Sequence, residues 1–581
     1  MDISARVMLI AFLCLYVVGA AAAVSSADIV AKRRAMLASK PYTSLVPRSN
    51  EPVGKLTILR VWPDEIDMRL ALGALQGLVN RDRPRIYIGL DKPLYWLEYH
   101  GGKVWPEIEY DVFKVFETYK ERVKGLVIYD SSVDGLGSIA VTYAGIEDLI
   151  PATPELAERL SARFGWKVAH DLRGRWQNRL EAYQWAYENL LPRCNKYALM
   201  HFNHGYQPRD PTQWSEAGQQ IGFNVDYAVA FRLFVWHIGH EPVPGEMDLA
   251  VKIMESAPLF TPVVGASTGL NMYPEPYLVC FIAKYTNLFI PFGPSNVSVL
   301  SGARIPDRLL KRNQPLPARD LEADKVYVAF TNSEHDNMEH LIGGGPPWQV
   351  TGIETDDPYR MWWCDPQRGK VPMGWPIGPL LCELSPATLA HFVMTATDND
   401  YFMASLTGLA LTSIPDFATA YPQAQEEIVA EYARMTAKYL KRLGWTMVHA
   451  WSPPDKIGPF VKSFPGLEGV LEGYGTWPDM TYDKANYLIK GVPVFHSLTT
   501  GSPSTRRDRP IADDYKRKAR ALAREITSVK IDERPAFMHA FTIGWDYGPT
   551  ILKMVADQLP LDYVIVRPDE LAALYKKHKE K

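Results

Sequence analysis

Cysteine is scarce: five occur in 581 residues and none sit in a C-x-x-C pair, so neither a zinc ribbon nor a disulfide framework underlies the fold. H-E-x-x-H is missing throughout and G-x-S-x-G is missing from residues 321–577, which removes the common zinc-hydrolase helix and, from that region, the serine nucleophile elbow. Gly343-Gly344-Gly345-Pro346 lacks the Lys-Ser/Thr that would make a glycine run a phosphate loop, and it reads as a rim loop. No cofactor is expected, and no metal is assigned. Charge of one sign is lacking too. The 63 basic and 66 acidic residues leave a formal charge of -3, without the basic footprint that phosphate backbones demand, so nucleic acid is not an expected partner.

Long hydrophobic runs are confined to the beginning of the chain. Arg6 precedes an uncharged stretch from Val7 to Val18, followed by small residues from Gly19 to Ala23. About a dozen apolar residues are too few to cross ~30 Å of hydrocarbon, and Ala21-Ala22-Ala23 offers an A-x-A cleavage pattern. Residues 1–23 are therefore expected to be a signal peptide, with an uncleaved anchor as the alternative. The mature chain would begin near Val24, be secreted or periplasmic, and carry no membrane span. Its remaining cysteines are Cys194, Cys280, Cys364 and Cys382. Only Cys364 with Cys382 forms a local pair that could bridge; buried free thiols are the alternative.

What the chain does contain is ample core material: 47% hydrophobic and 22% charged residues, in a length that calls for several domains. Residues 24–52 lack a sustained period and read as a leader. KLTILRVWP from Lys55 is strand-like, and Met68, Leu72, Leu75 and Val79 recur at helical spacing. Arg85–Gly89 is again a strand, so the unit is β-α-β and its sheet parallel. The expected organisation is an α/β domain in two parts, 52–115 and 116–195. A third α/β domain with linker follows at 196–320, where Tyr197–Phe202 and Val225–Phe234 look like strands.

From 321 to 577 the alternation becomes regular. Strands are expected at Lys325–Thr331, Asp400–Ala404, Thr446–Ala450, Gly469–Glu472, Val492–His496, Ala536–Phe541 and Tyr563–Val566. Between them lie helices at Gln425–Leu443, Lys456–Phe464, Tyr482–Ile489, Asp513–Ile526 and Pro549–Leu559. Seven or eight β-α repeats in this length have the rhythm of a TIM-like (β/α) barrel, with an open doubly wound sheet as the alternative.

In such a barrel the reactive groups sit at the carboxyl ends of the strands. Reading just past each strand collects Glu334, His335, Asp336, Asn337, His449, Trp451, Glu472, His496, His539, Trp545 and Asp546. Each could equally be a solvated loop or capping residue; their recurrence at one register points to a site. Cleaving an acetal needs a proton donor and a second carboxylate, with aromatic faces to stack on the sugar. Asp336 and Glu472 are the expected catalytic pair, with Glu334 and Asp546 in reserve. His335, Asn337, Trp375, His449, Trp451, His496, His539 and Trp545 are the expected substrate contacts. Trp362, Trp363 and Trp375 are read as part of a long loop, with burial as the competing role. The same histidines, together with Glu334, His335, Asp336 and His340, contain ligands suited to a metal-assisted deacetylase, against which stands an ordinary structural role.

Several segments also resemble, in order, the GxGYxYP family of glycoside-hydrolase-like proteins. These are LQGLVNRDRPRIYI (Leu75–Ile88), VYVAFTNSEHDNMEHL (Val326–Leu341), GWPIGPLLCELSP (Gly374–Pro386), the run Thr395–Pro415, and VIVRPDEL (Val564–Leu571). The resemblance implies N-terminal α/β domains, a C-terminal barrel, export and carbohydrate as substrate. Ser333, Asp336 and Asn337 match the family's S-D-G-D-N, whereas Glu334 and His335 replace its Asp and Gly. The signature departs further. GLALTSIP keeps Gly408, places Ala410 and Leu411 where Gly and Tyr are expected, and has Pro415 one position late. A sugar-binding relative without catalysis is therefore a third reading.

Overall fold

The computed structural model describes residues 25–580, apart from 53, 62, 64, 90–93, 205–223, 239–242, 266–274, 292–295, 313–316, 318, 334–362, 364, 454–455, 474–480, 500–510 and 545. The fold is mixed α/β, built on four sheets that follow one another along the chain.

The first sheet, β2-β1-β3, comprises β1 (Gly54–Leu59), β2 (Ile86–Ile88) and β3 (Val104–Glu109), all parallel. The second, β5-β4-β6, comprises β4 (Gly125–Ile128), β5 (Leu149–Ala152) and β6 (Val168–Asp171). The third, β10-β9-β7-β8, comprises β7 (Leu199–His201), β8 (Phe234–Trp236), β9 (Pro262–Gly265) and β10 (Leu288–Pro291). These units interlock. Helix Ile66–Asn80 of the first packs on β5 of the second and on helix Val225–Phe231 of the third, where Gly77 leaves no room for a Cβ against the Asp226 carbonyl.

Two sequence expectations change here. Val225–Phe234 is not one strand: Val225–Phe231 is helical, Arg232 ends it in the left-handed region, and only Phe234–Trp236 is extended. Buried on every side, Val225 to Ala230 carry no period that separates helix from strand. The supposed leader also holds a helix, Ser26–Ala38, capped by Ser25. Its Arg33 is fully buried and donates to the carbonyls of Ala257, Pro258 and Tyr285, to the Tyr421 hydroxyl and to Asn287. This helix therefore locks onto the third sheet. Farther along, the Leu45 and Val46 amides donate to the Glu383 carboxylate, which also receives the Tyr439 hydroxyl.

The fourth sheet contains β11 (Val326–Asn332), β12 (Met373–Ile377), β13 (Asp400–Ala404), β14 (Met447–Ala450), β15 (Gly469–Glu472), β16 (Asn486–Ile489), β17 (Val492–His496), β18 (Ala536–Thr542) and β19 (Tyr563–Ile565). Its order is β16-β17-β15-β14-β13-β12-β11-β18, with β19 also on β11. All pairs are parallel except β16–β17.

The pairing is not the continuous eight-strand ring expected from the β-α rhythm. β18 takes one edge of β11 along all of Val326–Asn332, so β19 cannot enter between them and instead pairs with the other edge at Val326–Val328. Between β17 and β18 there is a single bridge, Ser497 to His539. Beneath it, the Phe537 carbonyl accepts from the Asn486 amide at 2.8 Å and its N–H donates to the Tyr482 hydroxyl at 2.9 Å, where a strand neighbour would otherwise bind.

Tyr482–Ile489 is likewise not one helix. A single turn, Tyr482–Ala485, leads into β16, which reverses into β17 through Lys490 and Gly491. Both turn residues have positive φ, 48° and 78°, as a two-residue hairpin loop requires. β12 is an addition. Its Gly374 and Pro376 made MGWPI read as loop, yet Gly374 is needed because a Cβ would come within 2.9 Å of the Thr331 side chain.

Alternation sorts this sheet into two faces. Tyr327, Tyr401, Met403, Met447, Leu471, Phe495 and Phe537 form an inner cluster, closed at the amino end by Leu571, Leu574 and Tyr575 of helix Pro568–Lys579. The residues between them, such as Val328, Phe402, Val448, Val470 and Val494, face the surrounding helices.

Among the described residues no helix is long and apolar enough to cross a membrane; the expected signal peptide, 1–23, lies outside them. Cys194, Cys280 and Cys382 are free thiols, and Cys364 lies outside the described residues.

Candidate functional site at the carboxyl rim of the large sheet

Two residues beyond the inner apolar cluster, the same strand face turns polar. Thr331 on β11 and His539 on β18 share a hydrogen bond of 2.6 Å. His449 on β14 lies edge-on to His539, with ring centroids 6.0 Å apart, and stacks on Phe541 at 5.5 Å. Gly473, at the end of β15, makes this packing possible: a Cβ there would fall 2.4 Å from His449 Nε2 and 2.7 Å from Phe541. Ser497 Oγ accepts the Phe541 N–H at 3.1 Å and the Thr499 N–H at 3.1 Å. Trp451 continues the face from His449 to the edge, half-buried, its N–H on Thr407 Oγ1 at 2.9 Å.

Burial governs the electrostatics of this floor. The His449 ring is fully buried, neither ring nitrogen finds a hydrogen-bond partner among the described residues, and desolvation pulls its pKa down to about 3. Desolvation, with help from His449, holds His539 well below the usual imidazole range. Both rings are therefore neutral at physiological pH. They can exchange hydrogen bonds with uncharged hydroxyls but carry no charge for an anion.

The sequence-predicted residues divide between this face and others. His449, Trp451 and His539 share the inner face. Glu472 and His496 are brought together on the opposite one: they are register partners, their buried side chains are in direct polar contact, and the Tyr487 hydroxyl lies 3.5 Å from each. Glu472 neighbours the inward Leu471 and so must point outward, which corrects the expectation that it crosses a mouth. Asp546 is held at 2.9 Å by Lys518 of helix Ile511–Ser528. Trp375 is 1% exposed, donates to Asp400 at 2.9 Å and packs on Trp363; it is a core residue of β12. Glu334, His335, Asp336, Asn337, His340, Trp362 and Trp545 lie outside the described residues. Among those described, no group of three or more His, Cys, Asp or Glu is placed to hold a metal ion.

Sequence reading missed Thr331, Gly473, Ser497 and Phe541. The period-2 alternation already carried the signal, since Thr331, Gly473 and Ser497 each stand two residues from an inward apolar side chain and Phe541 stands two from His539. The divergent signature loop is fixed by Tyr432, whose hydroxyl donates to the Thr407 carbonyl at 2.7 Å and accepts from the Leu409 and Ala410 amides. Leu411 then bridges to Phe289 of β10, tying the loop to the third sheet.

Comparison with known proteins follows the same division of the chain. Residues 324–576 match the model described as "GxGYxYP putative glycoside hydrolase C-terminal domain", and residues 123–194 match the GxGYxYP N-terminal second domain. The chain belongs to the GxGYxYP family. Among solved structures it is similar to a crystal structure titled a putative hydrolase from Bacteroides thetaiotaomicron. The TM-score is 0.71 at 16% identity, covering 93% of this chain and 98% of that one, so the fold is shared nearly end to end. No curated protein matches. As a GxGYxYP protein, the chain keeps the family's fold around a signature loop that has lost its second glycine and its tyrosines.

Proposed function

We propose that this GxGYxYP protein is an exported glycoside hydrolase acting on a poly- or oligosaccharide at the inner face of the carboxyl rim, with β17 and β18 closing the sheet as a barrel. The observation that carries the reading is the floor formed by Thr331, His449, His539 and Phe541, with Trp451 at its edge, on parallel strands of the domain that the family model matches. Neutral imidazoles and hydroxyls suit sugar hydroxyls, and an indole at the edge suits a sugar C–H face.

Acetal cleavage still requires two carboxylates. With Glu472 committed to His496 and Asp546 to Lys518, we assign the acid and base roles to Asp336 and Glu334. Asp336 follows the rim residue Ser333 by three positions, a reach of at most ~11 Å of extended chain. Glu472 becomes a positioning residue.

The test is release of reducing ends from a panel of polysaccharides. Asp336→Asn and Glu334→Gln should each lower the rate by about 10²–10⁴-fold with native circular dichroism. Wild-type rates in both variants refute the assignment. Glycan binding without reducing ends in the wild type refutes hydrolysis altogether, and release of acetate rather than reducing ends from acetylated glycans, lost with chelator and restored by a divalent ion, turns the reading to the deacetylase. An N-terminus near Val24 on protein recovered outside the cytoplasm checks export.

A further inference from the structure

A second polar cluster lies at the carboxyl edge of the third sheet and shares no residue with this rim. In the order β10-β9-β7-β8 the direction of strand addition reverses beside β7, and ligands of open parallel sheets bind at the carboxyl ends of strands around such a reversal. Gly265, at the end of β9, allows the close approach: with φ at 137°, a Cβ would sit 2.2 Å from the His201 carbonyl of β7.

Asp134, between β4 and helix Leu136–Glu147, organises the cluster. Its carboxylate accepts from Arg179 at 2.5 Å and from the Asn203 amide at 3.0 Å, and lies 3.2 Å from His237 Nε2. The other His237 nitrogen is 2.8 Å from the Tyr183 hydroxyl, and Arg179 also donates to Glu246 at 2.6 Å. Everything named so far is paired, and the Asp134 side chain, 27% exposed, opens the cluster to solvent.

Two neighbours are not satisfied. Asn203 Oδ1 and both ring nitrogens of His204 are buried without a hydrogen-bond partner among the described residues. His204 is 1% exposed, stacked on Phe202 at 4.5 Å and within electrostatic reach of His237. The Ser138 hydroxyl receives its backbone N–H and donates to the Phe202 carbonyl, so the segment is held with these groups unused. Buried polar atoms of this kind are costly unless something supplies their bonds.

We propose that this edge is a second binding site, for the adjacent hydroxyls of a neutral polyol such as a sugar ring. The vacant atoms are an amide oxygen, which accepts, and an imidazole, which has one donating and one accepting nitrogen. A vicinal diol meets that demand with one hydroxyl donating to Asn203 and another bonding to His204, while Phe202 backs the ring. An anion does not fit. The guanidinium of Arg179 is already shared between Asp134 and Glu246, and burial keeps His204 uncharged, with a pKa of about 3. The site stands independently of the rim.

Binding to the full-length chain can be read by calorimetry and thermal shift, with maltose, cellobiose and myo-inositol as neutral probes and glucose 6-phosphate and inorganic phosphate as charged ones. At least one neutral probe should bind and raise Tm in the wild type. Affinity should fall by about tenfold or more in Asn203→Ala and in His204→Phe, which keeps the stack on Phe202 but removes the nitrogens. His204→Phe without ligand should melt no lower than the wild type, because an unsatisfied group has been removed. Three outcomes overturn the proposal: no binding of any neutral probe at tens of millimolar, preference for the phosphorylated probes, or binding unchanged in both variants, as occupancy of the rim alone would give. Asn203→Ala, on a half-buried side chain, keeps the test valid if His204→Phe does not fold.

Discussion

Acid should destabilise this protein through its buried histidines, and His449 gives the cleanest measurement. In the unfolded chain its imidazole binds a proton below about pH 6.5. In the fold desolvation delays that protonation to about 3. The contribution is therefore intact above pH 6.5 and is lost progressively as pH falls below it, because only the unfolded state gains the proton. Between pH 7.5 and 5.0 one such histidine removes about 2 kcal/mol, from RT ln(1 + 10^1.5). His204, at about 3, acts in the same direction, whereas Asp226, a buried carboxyl raised to about 6 by desolvation, opposes them. A difference measurement cancels both. Urea unfolding of wild type and His449→Leu at pH 7.5 and 5.0 should show the wild type losing about 2 kcal/mol more than the variant over that interval. An equal loss in the two proteins would refute the buried, neutral imidazole and with it the account of the floor.

Gly473→Ala should cost about 1–3 kcal/mol, since the methyl would overlap His449 and Phe541, and urea midpoints report it. Arg33→Met should cost about 3–5 kcal/mol, as it removes five buried donor contacts that hold helix Ser26–Ala38 to the third sheet; increased proteolysis within residues 25–50 is the accompanying sign. Lys518→Met, which deletes the buried ammonium between Asp514 and Asp546, should lower stability by a similar ~3–5 kcal/mol. Asp546→Asn should then lower Tm more than it lowers turnover; the reverse would return Asp546 to the chemistry.

Sequence periodicity reached far where one face of an element is apolar and the other is not. Helix Gln425–Leu443, with Ile428 and Tyr432 inward and Gly444 in the left-handed region at φ 73°, ends as its sequence demands. Strands β13, β15 and β17 lie where their alternation or apolar run placed them. Periodicity misled where burial is uniform or the run is short, as at Val225–Phe231, Asn486–Ile489 and Met373–Ile377. There a few apolar residues fit helix, strand or loop equally well, and neighbours decide.

The sequence by itself determined the α/β alternation, the polar residues at the strand ends and the family, because each is written in local spacing or in residues that stand in order. Tertiary structure alone decided which of those polar residues meet. One step of strand alternation turns His449 and His539 inward and Glu472 and His496 outward, and that parity depends on register between strands dozens of residues apart. It also decided that β18, rather than β19, fills the second edge of β11, since competition for one row of backbone hydrogen bonds is settled only when all the strands are present.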